Sequence, residues 1–97
     1  MAKGRKDDAG KLRWSLFDLP GLEEVLRVSE GGAKEYGHNN YRKVPNKRTR
    51  YYNALMRHIV EWRKGRTHDR KSKRFQMAHV AWNALALLEF DMKRRKR

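Results

Sequence analysis

The chain has no cysteine and is short of acid, with 11 Asp and Glu against 25 Lys and Arg in 97 residues. Without cysteine there is no disulfide framework, no thiolate metal site and no thiol nucleophile, so chemistry falls to carboxylate, imidazole, hydroxyl and amine groups. No stretch approaches the roughly 18 consecutive apolar residues of a membrane span, and residues 1–11, MAKGRKDDAGK, lack the apolar run of a secretory signal. The expectation is a cytoplasmic protein with no membrane partner. The deficit of acid leaves a formal charge of +14, which points to a polyanionic, phosphate-bearing partner. At 97 residues the chain supports one core only.

The charge is unevenly spread. Residues 42–74 hold 13 basic residues and only two acids, Glu61 and Asp69, while KRRKR closes the chain as a basic tail. We therefore divide the chain into a single helical domain over 1–91 and a tail over 92–97, and expect the anion site in the middle region. Three helices follow from the periodicity, so the expected fold is all-α. The first starts near Asp18 and Pro20, carries Leu22, Val25, Leu26, Ala33 and Tyr36 at helical spacing, and stops at Gly37. Gly31-Gly32 within it is either a helix break or a place for close approach by a partner. Residues 38–48 read as a loop. The second helix, capped by Asn46 or Thr49, runs to about Lys64 with a core stripe of Tyr52, Leu55, Met56, Ile59 and Trp62, beside a second stripe of Tyr51, Ala54, His58 and Glu61.

After Gly65 comes the basic loop RTHDRKSKR, whose Ser72 can cap a third helix from Phe75 to about Met92. That helix is apolar nearly all round, which predicts cover on every side and hence a homo-oligomer. Its polar interior residues Gln76, His79 and Asn83 share one stripe and demand either a hydrogen-bond network or a ligand. Lys71, Lys73 and Arg74 stand at or before its start, where cations are unfavourable unless an anion joins them, so they are expected phosphate contacts.

The order of KDDAGKLRWSLFDLPGLEEVLRV, GGAKEYGHNNY, RYYNALMRHIVEWRKG and MAHVAWNALALLEF resembles the dATP/dGTP diphosphohydrolase N-terminal domain family of phage and bacterial proteins. That family is similar to the all-α MazG-like nucleotide pyrophosphohydrolases. Gly32, Ala33, Tyr36 and Gly37 followed by Asn40, the Arg57-His58 pair, and His79 with Asn83 carry the likeness over about residues 6–90. The resemblance implies a helical pocket that hydrolyses a dNTP to dNMP and pyrophosphate with Mg²⁺ or Mn²⁺, in the host cytoplasm where a phage encodes it. It implies pocket residues Lys34, Tyr36, Asn40, His58, Asp69, His79 and Asn83. Tyr41, Arg66 and Gln76 stand where the family pattern carries Trp, a more acidic loop and His.

Attack on a phosphoanhydride needs carboxylates for the metal and a base for water. Glu61 and Asp69 are the expected metal ligands, and His58, Glu61 and Asp69 the expected catalytic set; no helix carries the paired carboxylates of MazG-like enzymes. Two alternatives stay open. One is an inactive protein that binds or sequesters a nucleotide and so counters host nucleotide signalling. The other is sequence-independent nucleic-acid binding through basic residues interleaved with Tyr41, Tyr51, Tyr52 and Trp62.

Overall fold

The computed structural model describes residues 3–94 and is all-α. Helix α1 spans Gly21–Tyr36, α2 Lys47–Arg63 and α3 Gln76–Arg94, with 3-10 turns at Trp14–Leu16 and Asn40–Lys43. Among the described residues there is no strand, only an isolated antiparallel bridge between His68 and Phe75, and no helix is long and apolar enough to cross a membrane.

The helix ends follow the glycines. Gly37 takes φ 93° and closes α1 by donating to the Ala33 carbonyl at 2.8 Å. Gly65, at φ 95°, donates to the Trp62 carbonyl at 2.9 Å while Arg66 donates to that of Glu61 at 3.1 Å, the paired closure that a left-handed residue permits. Pro20 instead of Asp18 precedes α1, and of the two expected starts Asn46 is the one that precedes α2, but neither residue offers a side-chain cap. Ser72 lies four residues ahead of α3 and turns its hydroxyl to His79 instead of capping. Gly31 and Gly32 do not break α1, and open space surrounds both.

Helices α2 and α3 form an antiparallel hairpin, fixed at one end by Arg48 on Asp91 at 2.9 Å and at the other by His58 on Gln76 at 2.7 Å. Helix α1 packs across α3. The buried stripe of α3 is Gln76, Asn83, Ala86 and Phe90, joined by Ala78. Helix α2 answers it with half-buried Tyr51, Ala54, Leu55, His58 and Ile59. The expected core stripe is therefore corrected: Tyr52, Met56 and Trp62 are exposed, because the helix turns its neighbouring face, the one bearing Tyr51 and His58, to α3. Helix α3 likewise leaves Leu85, Leu88 and Met92 exposed in the single chain. It runs on through Arg94, so the expected tail begins as helix; residues 95–97 lie outside the described residues.

Candidate functional site

The loop from Arg66 to Phe75 is a closed turn. Asp69 donates its N–H to the Arg74 carbonyl at 2.7 Å, Gln76 donates to that of Thr67 at 2.8 Å, and Lys73, at φ 66°, donates to that of Asp69 at 2.9 Å. The Asp69 carboxylate accepts the Ser72 N–H at 2.8 Å, the local bond that makes Asp a turn residue. This brings a carboxylate from the loop against two imidazoles from different helices.

His58 of α2 and His79 of α3 stack with ring centres 4.3 Å apart and planes 6° from parallel. Asp69 faces both, its oxygens 3.9 Å from His58 Nδ1 and 4.0 Å from His79 Nε2. His58 Nδ1 donates to Gln76 Oε1 at 2.7 Å, and Gln76, 2% exposed, spends its amide N–H on the His68 carbonyl at 3.1 Å. Ser72 Oγ lies 2.7 Å from His79 Nε2 and accepts the Arg74 N–H at 3.1 Å. Burial lowers the His79 pKa, and the neighbouring His58 adds to this against the pull of Asp69. His79 is thus held neutral near pH 7, with a ring nitrogen able to accept a proton. For Asp69, burial pushes the pKa up, but the hydrogen bonds from Ser72 and the facing imidazoles outweigh it and leave it below the ordinary carboxylate range.

One polar atom here has no partner. Asn83, 4% exposed, donates to the His79 carbonyl at 2.8 Å, yet its buried Oδ1 accepts nothing from the described residues. An orphaned buried acceptor costs about 1–3 kcal/mol, a cost that a ligand donor would remove.

The family model described as dATP/dGTP diphosphohydrolase, N-terminal, matches residues 1–97. The chain belongs to this family. It is 37% identical over 78 residues to the dATP/dGTP diphosphohydrolase of Salmonella phage PMBT28, which covers 80% of this chain and 26% of that protein. The chain thus spans about a quarter of that relative's length, and no solved structure matches it.

In this chain His58, Asp69 and His79 come together, Asn83 follows one turn along α3, and the other expected residues stand apart. Glu61 pairs with Arg66 at 2.8 Å and Lys64 at 3.7 Å. Lys71 reaches Glu35 of α1 at 3.5 Å and Arg74 reaches Glu24 at 3.7 Å, so these cations tie the loop to α1. Lys73 and Lys34 are exposed, and Tyr36, 61% exposed, lies near Tyr51. Asn40 is half-buried in the turn after α1. Gln76 forms hydrogen bonds, as its place on the polar stripe of α3 demands, and sequence reasoning passed over the set at the other end of the hairpin. There Glu89 accepts from Arg42 at 2.7 and 2.9 Å and from the Tyr41 hydroxyl at 2.9 Å. The available signal was a carboxylate inside the apolar run of α3, which needs a partner.

Proposed function

We propose that this chain forms the nucleotide site of a dNTP pyrophosphohydrolase, which splits a deoxynucleoside triphosphate into the monophosphate and pyrophosphate. One observation carries the reading: a carboxylate on the closed turn, Asp69, faces a neutral imidazole on α3, His79, beside exposed cations. The phage relative's name supports the substrate class. In this scheme His79 takes the proton of the attacking water, Ser72 orients the ring, and Gln76 holds His58 in place. Lys71, Lys73 and Arg74 bind phosphates, Lys34, Tyr36 and Asn40 serve the nucleoside from the α1 side, and Asn83 Oδ1 accepts from the ligand.

Mg²⁺ or Mn²⁺ is part of the proposal. Mg²⁺ is commonly held by one or two carboxylates together with substrate phosphates, and the donor set suits that mode. Asp69 would supply one carboxylate, and Glu61, held by Arg66 and Lys64, would supply the second if substrate phosphates drew both cations away. When bound, the ion polarises the phosphoanhydride oxygens.

A second reading, binding or sequestering a nucleotide without turnover, is favoured by Glu61 being held by two cations. Also, among the described residues no three His, Asp or Glu side chains are set to hold a metal ion. The deciding experiment incubates the chain with dATP and dGTP plus Mg²⁺ or Mn²⁺ and separates the products. Equimolar dNMP and pyrophosphate, lost on chelation, support the enzyme. Tight binding with no product supports sequestration, and absence of both overturns the nucleotide site.

A further inference from the structure

The N-terminal arm does not pack on its own chain. None of residues 3–20 is even half-buried, and the arm carries five large apolar side chains in the open: Leu12 at 83% exposure, Trp14 at 76%, Leu16 at 70%, Phe17 at 53% and Leu19 at 58%. The molecule is correspondingly long, 58 × 38 × 26 Å with a radius of gyration of 17.4 Å, against about 12–13 Å for a compact chain of this length. Exposed apolar surface on this scale marks an interaction site.

A matching surface lies on α2. The face left free by the corrected packing bears Tyr52, Met56 and Val60, and a shallow, open groove runs along the helix there between Asn53, Met56, Arg57, Val60 and Glu61. Arg57 has no ion-pair partner among the described residues, and neither does Asp18, which stands between Phe17 and Leu19 on the arm.

We propose that residues 12–19 of one copy occupy the α2 groove of a second copy, each lending its arm to the other, with Asp18 meeting Arg57. Large apolar side chains bury on the order of 150–250 Å² when aromatic, so five mostly exposed ones offer roughly 500 Å². Two reciprocal arms then offer about 1,000 Å² before the surface they cover is counted, toward the roughly 1,600 Å² of a standard stable interface. A two-fold exchange also closes the assembly, leaving no free arm to propagate it.

Absence of native cysteine gives a clean test. Leu16→Cys and Val60→Cys are purified separately, mixed and oxidised. A covalent species of twice 11.6 kDa should form at least tenfold faster than when Leu16→Cys is replaced by Glu30→Cys on the outer face of α1. Light scattering should give twice the chain mass for the unaltered protein, and a mass shifted to the monomer for Trp14→Asp with its helical circular dichroism retained. Equal cross-linking rates, a monomeric unaltered protein, or a dimer indifferent to Trp14→Asp would overturn the proposal. So would a double Leu16→Cys/Val60→Cys chain that closes its disulfide internally, since the arm would then serve its own groove.

Discussion

The two ends of the α2–α3 hairpin hold polar groups in opposite ways. At the end near Arg48, Tyr41, Tyr51, Trp82 and Phe90 pack with ring centres 5.3–6.1 Å apart, and Glu89 is neutralised by Arg42 and Tyr41. The Arg42 hydrogen bond is the largest influence on Glu89 and, despite the opposing effect of burial, holds its pKa down to about 2. Toward the other end His79 stays neutral, and between the two, one turn along α3, Asn83 Oδ1 is orphaned. A polar group whose demand is met inside the chain strengthens the fold, whereas one with unspent capacity serves a ligand. Helix α3 does both along its length.

The largest effect that sharpens this contrast is on turnover. Asp69→Asn should lower dNTP hydrolysis by about 10²–10⁴-fold with nucleotide binding largely kept, while Glu89→Gln should leave turnover near that of the unaltered chain; steady-state assays of both compare the ends directly. Stability should show the reverse. Glu89→Gln removes the charge that Arg42 and Tyr41 share and should lower Tm by on the order of 5 °C in calorimetry, against a smaller loss for Asp69→Asn.

The pH dependence separates the ends again. His79 has a folded pKa below its ordinary 6.5, so as pH falls through 6.5 the unfolded chain gains a proton that the folded chain refuses, and stability drops. Glu89 has a folded pKa of about 2 against 4.5, so the stability it contributes is complete above pH 4.5 and is lost as pH falls toward 2. Denaturant melts across pH should show two acid-side declines, the upper one removed by His79→Gln and the lower one reduced by Glu89→Gln, with the remainder belonging to Asp69, whose carboxyl is also held low. A single decline untouched by either variant would break the comparison.

Smaller still is Asn83→Leu, which removes an unsatisfied acceptor and no charge. Nucleotide affinity should fall about tenfold, equivalent to roughly 1.4 kcal/mol, with Tm unchanged or raised. Deleting residues 93–97 should leave that affinity nearly constant, with little dependence on salt. A loss of 10³ or more between about 50 and 200 mM salt would instead signal counterion release from nucleic acid.

Much of the fold was legible because glycines and periodicity act locally: Gly37 and Gly65 end their helices, and Gln76, His79 and Asn83 mark one stripe at i, i+3 and i+7. Which face of α2 turns inward was not legible. Tyr52–Met56 and Tyr51–Ala54–His58 are both plausible stripes, and only docking on α3 chooses between them. The meeting of Asp69 with two histidines 11 residues before it and 10 after it depends on the closed turn, whose backbone bonds leave no periodic trace. The pairing of Glu61 with Arg66 was hidden for the opposite reason, since Arg66 arrives only through the chain reversal at Gly65.

The most direct measurement of where the nucleotide is handled is a ring-resonance NMR titration of the intact chain with dATP. The account predicts that His58 and His79 signals shift with one saturable constant while those of Tyr41 and Phe90 stay in place. Shifts confined to Tyr41 and Phe90, or no histidine response at saturating dATP, would contradict it.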